Sequence, residues 1–254
     1  MTPRAKNPIQ ATTKSLEVLD ALAELGTVGV TELANYLGMD KGTVHHHLST
    51  LENQEYVVKE DGRYELSLRF FQMGETVRRR WDIYDVGKPE VDTLAEETGE
   101  LANLMVEEHG MGVYLHIAKG ENAVTLDTKT GTTQYLHTSA LGKAILAFCS
   151  ESELEAILDT HGLPAKTPNT VTDRETLDEQ LERIRNEGVA FDGEERAEGI
   201  RCVAAPILDT DDSLLGAVSV SGPATRLEGE RFETEIPNMV RNTATIIKIN
   251  VSYS

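Results

Sequence analysis

Three histidines stand side by side, His45, His46 and His47, inside the stretch KGTVHHHLST. Histidine binds metals, titrates near neutral pH, and hydrogen-bonds base edges or phosphates, so residue type leaves three chemistries open. Spacing separates them. Consecutive residues on a helix diverge by about 100°, so the three rings cannot converge on one ion. A helical ligand pair needs a partner three or four residues away, and positions 41, 42, 48, 49 and 50 offer only Lys, Gly, Leu, Ser and Thr. We therefore expect no metal site and no cofactor, and read the run as a polar helix face that touches another molecule.

Other reactive groups are weighed the same way. Cys202 follows Arg201, which favours a thiolate, but the cysteine lies in an apolar run with no ordered histidine in sequence reach. ALGK, residues 140–143, lacks the glycine and the Ser/Thr of a phosphate-binding loop, since His137 and Ala144 occupy those places. DGEE, residues 192–195, offers paired carboxylates, but in a chain with 43 acidic residues such a cluster reads first as surface. We expect no enzyme. Ser219 and Ser221 are two apart in a strand-like run, so their hydroxyls share a face, and Cys202 lies on the preceding strand. Ser139 is the expected N-cap of a helix; its free N–H groups favour an anion, and Gly142 would let a ligand approach the backbone. Together they suggest a pocket for a small organic acid bearing hydroxyls. The alternative is that the serines bond each other inside a silent core.

The elements that hold these groups follow from periodicity. Leu16, Leu19, Leu22 and Leu25 recur at helical spacing before Gly26. VTELANYLG reads as a second helix capped by Thr31, with Leu33, Ala34 and Leu37 inward and Gly38 as its stop. Asp40 is placed to cap a third, on which Val44, Leu48 and Leu51 face inward and the histidines ride. Gly42, His46, Ser49 and Asn53 then face out, flanked by Thr43, His45 and Thr50, while His47 falls at the core edge. YVVKEDGRYEL is a two-stranded hairpin around Asp61-Gly62, with Lys59 and Arg63 on it. Three helices and a ribbon form a winged helix-turn-helix, whose third helix enters the major groove. Lys41, Gly42, Thr43, His45, His46, Ser49, Thr50, Asn53, Lys59 and Arg63 are the expected DNA contacts.

Beyond a helix ending in Arg78, Arg79 and Arg80, the pattern is α+β. LANLMVEE, GVYLHIAK and AVTLDT read as strands. Capping boxes at Ser150/Glu153 and Thr172/Glu175 open two helices. GIRCVAAPIL and LLGAVSVSG are apolar strands, and a long amphipathic helix closes the chain. Sequential strands imply an antiparallel sheet. No run approaches a membrane span, no secretion signal opens the chain, and two cysteines are too few for a disulfide framework, so a soluble cytoplasmic protein is expected. The net charge of −19 is uneven: residues 1–80 hold ten basic and eleven acidic residues, leaving −18 on residues 81–254. Such a broad acidic surface suggests salt adaptation.

KSLEVLDAL, VTELANYLGMDKGTVHHHLSTLENQEYV and GRYELS resemble the DNA-binding domain of the IclR family of transcription regulators. The departure is at His46 and His47, where family members commonly carry arginine and then leucine, so a fixed positive charge is lost. YLHTSALGKAILA, GVAFDGEERAEGIRCVAAPI and VSVSGPATR continue the resemblance in order and spacing, to about residue 250, and the acidity resembles that of haloarchaeal members. The resemblance implies a flexible tail at 1–12, a winged helix-turn-helix at 13–66, a linker helix at 67–81 and a GAF-like effector-binding domain at 82–254. It also implies a pocket of Ala140, Leu141, Asp192, Cys202, Ser219 and Ser221, with Asp192 disfavouring a second carboxylate, and homodimers or homotetramers. The reading is a regulator that binds double-stranded DNA under control of a small organic or sugar acid. Its rivals are a DNA-binding protein with a ligand-free second domain and, further off, an enzyme.

Overall fold

A computed structural model describes residues 7–126 and 128–253. The chain divides into two compact units between Arg80 and Trp81.

The smaller unit holds α1 (Gln10–Leu25), α2 (Val30–Leu37) and α3 (Lys41–Asn53). A sheet of β1 (Val28–Gly29), β2 (Val57–Glu60) and β3 (Arg63–Leu66) completes it in the order β1-β3-β2. Val18, Leu22, Leu33, Val44, Leu48, Val57 and Tyr64 form its core. This is a winged helix-turn-helix with details that differ from expectation. Residues 10–12 of the expected tail are already helical, and residues 1–6 of it lie outside the described residues. The inward face of α1 is Val18, Ala21 and Leu22, while Leu16 is 55% exposed, because a strict three-residue spacing drifts around a helix of 3.6 residues per turn. Thr31 does not cap α2. Its N-cap is Gly29, since β1 pairs with β3 and feeds the chain directly into the helix. Gly38 does end α2, at φ 63°, and the hairpin turns at Asp61 and Gly62, both at positive φ. A short α4 (Arg69–Arg78) follows and buries none of its residues.

The larger unit is α+β. Its antiparallel sheet comprises β4 (Leu101–Glu108), β5 (Met111–Lys119), β6 (Thr133–Tyr135), β7 (Ala190–Gly193), β8 (Ile200–Leu208) and β9 (Leu214–Pro223). The strand order is β6-β5-β4-β9-β8-β7. Alternation along each strand serves two cores. Ala102, Leu104 and Val106 face α5 (Asp82–Thr98) and α9 (Ile236–Ser252), and Met105, Cys202, Ala204 and Ala217 face α6 (Ala140–Leu146) and α8 (Arg174–Glu187). The helix α7 (Glu151–His161) starts with the expected Ser150/Glu153 capping box. At α8 the cap is Asp173, not Thr172: its carboxylate accepts from the Thr176 N–H and adds a charge favoured by the helix dipole. AVTLDT is not a strand in its described residues. The short β6 takes the pairing edge of β5, and Leu126 and Thr128 instead wall a cavity.

Candidate DNA-reading face and effector cavity

On α3 the Asp40 carboxylate caps the helix, accepting from the Thr43 N–H at 2.8 Å and the Thr43 hydroxyl at 2.5 Å. A side chain at position 42 would meet that carboxylate, since a Cβ there would lie 3.2 Å from Asp40 Oδ1. Gly42 and the half-buried Thr43 thus serve the cap. Lys41, His45, His46, Thr50 and Asn53 are exposed, and Ser49 is half-buried. Thr50 spends its hydroxyl proton on the His46 carbonyl at 2.9 Å. The His45 and His46 rings meet edge to face, 6.3 Å between centroids. His47 turns inward, its Nδ1 2.8 Å from Ser15 Oγ on α1.

On the wing, the Lys59 ammonium lies 5.1 Å from the centre of the buried Tyr64 ring. Arg63 points back into the unit, donating to the Thr27 carbonyl at 2.5 Å and lying 3.5 Å from Glu32. Arg69, which the sequence did not single out, donates to the Gln54 carbonyl at 2.6 Å and stacks 4.4 Å over Tyr56, joining the start of α4 to the end of α3.

In the larger unit the candidate ligand residues come from separate strands. Asp192 pairs across the sheet with Cys202, and Cys202 with Ser221, so β7, β8 and β9 set all three in one row. That row, with Leu141, lines a cavity of about 390 Å³. Ala140 and Ser219 do not line it. Ser219 is fully buried and accepts from Asn103 Nδ2 at 3.1 Å, so of the two serines only Ser221 reaches the cavity. Asn103, unforeseen, also lies 3.5 Å from Ser221 Oγ.

The start of α6 is also tied into the fold. Ser139 caps it, accepting from the Gly142 N–H at 3.2 Å and from Gln134 Nε2 at 2.6 Å, and Gln134 in turn accepts from the Tyr114 hydroxyl at 2.9 Å. The glycine is needed by the chain itself: a Cβ at 142 would sit 1.9 Å from the Leu136 carbonyl oxygen. Gly142 is therefore not an opening for a ligand.

Electrostatics refine the rest. Burial, with the Glu195 carboxylate nearby, pushes the Asp192 pKa up to about 7 against the pull of backbone N–H groups. Near neutral pH this carboxyl is partly protonated and can donate, which weakens the repulsion expected toward a second carboxylate on a ligand. Burial pushes the Cys202 thiol up to about 12, and Arg201 turns away to the Leu227 carbonyl and the Phe232 ring. That is the opposite of an activated thiolate. The DGEE carboxylates are also engaged: Glu194 accepts from the Gly199 N–H, and Glu195 takes both oxygens to the buried Lys143 ammonium at 2.6 and 2.7 Å. Lys143 also donates to Gln180 Oε1 at 2.8 Å, so α6, α8 and the turn after β7 meet at one ammonium. The sequence flagged Lys143 only as part of a failed phosphate loop. Tyr114, Gln134, Lys166 and Arg196 also line the cavity, and no periodicity marked them. Among the described residues no group of three His, Cys, Asp or Glu side chains is arranged to hold a metal, and no helix is long and apolar enough to cross a membrane.

Two family models match. One describes an IclR helix-turn-helix domain and covers residues 11–61; the other describes the bacterial transcriptional regulator IclR C-terminal region and covers residues 75–249. A probable HTH-type transcriptional regulator ArcR from Halobacterium salinarum is 33% identical, covering 99% of both chains. The crystal structure of Thermotoga maritima IclR superposes with a TM-score of 0.80 at 33% identity, over 95% of this chain and 98% of that one. An IclR homologue from Microbacterium hydrocarbonoxydans, crystallised with 4-hydroxybenzoate, shares the fold with a TM-score of 0.82 at 19% identity, over 96% and 100% of the two chains.

Proposed function

Since this chain belongs to the IclR family, and so is a DNA-binding transcription regulator with an effector-binding C-terminal domain, we propose how its own residues divide the work. The exposed face of α3, centred on His46 with Lys41, His45, Ser49 and Asn53, reads base edges in the major groove of an operator. Lys59 on the wing reaches the backbone. Thr43 and Arg63, tied to Asp40 and to Thr27, position the helix and the wing rather than contact bases. The domains run as 10–66, a linker helix within 67–80, and 81–254.

The cavity walled by Asp192, Cys202, Ser221 and Leu141 takes the effector, a small organic acid. The carrying observation is that row of polar groups on three adjacent strands, open to a cavity of about 390 Å³. The neighbour crystallised with 4-hydroxybenzoate supports an acid of that kind. The effector acts by binding one arrangement of paired sensory domains better than another, which shifts the population of DNA-competent dimers. A homodimer, or a tetramer built from two, is supported by α4: Leu68, just before it, and Phe71 within it are 86% and 69% exposed, an apolar surface a second copy would cover. The protein works in a salt-rich cytoplasm and performs no catalysis.

The test is anisotropy of a labelled promoter fragment taken from upstream of the protein's own gene. H46A/S49A should lose specific affinity and keep non-specific affinity, at ~1–3 kcal/mol per base contact. Equal loss on specific and random DNA would move the reading face elsewhere.

A further inference from the structure

An acid bound in this cavity needs a positive pole, and at the start of α6 the Gly142 N–H is already taken by Ser139. The cavity has its own cation. Arg196, on the turn after β7, lines the cavity and is half-buried. Its guanidinium lies 5.5 Å from the centre of the Tyr114 ring, and Nη2 donates to Thr128 Oγ1 at 3.2 Å. These partners, an aromatic face and a hydroxyl, carry no charge, and among the described residues no carboxylate forms an ion pair with Arg196. The nearby Glu195 is held by Lys143. Lys166 also lines the cavity, but it is exposed, with its ammonium 5.5 Å from the Tyr135 ring.

We propose that Arg196 is the specificity-determining residue of the cavity, and that it reads the carboxylate of a monocarboxylic effector larger than a three-carbon acid. A guanidinium presents two parallel N–H donors that match the two oxygens of a carboxylate. Nη2 is shared with Thr128, and Nε and Nη1 have no hydrogen-bond partner among the described residues. Size sets the rest of the ligand. About 390 Å³ holds roughly a dozen waters at ~30 Å³ each, so a three-carbon acid would leave most of the space wet. A ring-bearing acid fills it, its body against Met111, Leu126 and Ile200. Asp192, partly protonated at neutral pH, repels such an anion less than a full carboxylate would and can bond a second polar substituent.

The proposal rests on the reading of the cavity as the effector site, and the experiment separates the two. Calorimetric titration of the full chain uses pyruvate, benzoate and phenylacetate, with benzamide and phenylacetamide as uncharged matches. The wild type should bind benzoate or phenylacetate at least tenfold more tightly than the matching amide, and more tightly than pyruvate. R196Q should bring acid and amide within twofold of each other with amide affinity unchanged, which shows that the cavity is intact, and R196K should recover part of the preference. A wild type that binds acid and amide equally, or an R196Q that keeps the tenfold preference, overturns the role of Arg196 and leaves the cavity assignment standing. Tightest binding of pyruvate overturns the size argument. No binding of any probe at millimolar concentration overturns the cavity assignment, and this proposal with it.

Discussion

Removing the Lys143 ammonium should unfold the larger unit far more readily, and for an electrostatic reason. Lys143 and Glu195 are only 1% and 8% exposed, and the ammonium contacts both Glu195 oxygens and Gln180 Oε1. Methionine at 143 keeps most of the volume and apolar stem but strands a carboxylate in a dry site. Breaking a buried pair in this way costs ~3–5 kcal/mol. For a unit of this size, ~1 kcal/mol moves the melting temperature by ~2–4 °C, so a fall of roughly 6–20 °C is expected. K143M/E195L removes both charges together and should regain most of the loss, because apolar replacements of a buried pair are often neutral. The chain's single tryptophan, Trp81, packs against the core of the larger unit, so its fluorescence during urea unfolding reports on that unit. A K143M variant within about 1 kcal/mol of wild type would refute the reasoning. So would a double variant no more stable than K143M, since the loss would then come from packing.

Three further outcomes follow. The Asp192 pKa, raised from 3.8 to about 7 by folding, means that between those values the unfolded chain releases a proton the fold retains, so stability falls as pH rises through this window and levels off above it. At ~1.4 kcal/mol per pH unit the full effect is up to ~4 kcal/mol, so D192N should gain on wild type by up to about that much between pH 4 and pH 8, and parallel pH curves would contradict it. S15A and H47A should each cost ~1 kcal/mol, and the double variant little more, because both remove one hydrogen bond between α1 and α3; additive losses would deny that coupling. With residues 1–80 near neutral and −18 on the rest, specific DNA binding should depend weakly on salt and persist in molar potassium chloride, because salt screens a repulsion that reaches ~30 Å at 0.01 M. A steep monotonic loss of affinity with salt would show many phosphate contacts that this charge distribution does not provide.

Much of the smaller unit was legible in the residues because its signals are local. Asp40 three residues before Thr43, Val44-Leu48-Leu51 at helical spacing and Asp61-Gly62 between alternating runs each depend on neighbours within a turn or two. The same locality made the strand runs and the Ser150/Glu153 box readable. Where strand pairing intervened, local rules failed: β1 replaced the Thr31 cap, and β6 took the edge of β5 in place of the described residues of AVTLDT. The charge asymmetry is a property of composition and needed no fold at all.

The site is different, because its parts meet across long stretches of chain. Asp192, Cys202 and Ser221 share a row only through the register of three strands, and a one-residue slip in any of them would turn its side chain to the opposite core. Lys143 meets Glu195 fifty-two residues away, and Arg196 meets Thr128 across sixty-eight. No periodicity or capping rule carries such information. Gly142 shows the limit most plainly: its neighbours suggested room for a ligand, whereas the tertiary fold fills that room with the Leu136 carbonyl. Residue types and short spacings determined which elements form and which groups could do chemistry. Register and packing decided which of those groups face the cavity, because only the assembled layers bring distant side chains within a few ångströms and remove the water between them.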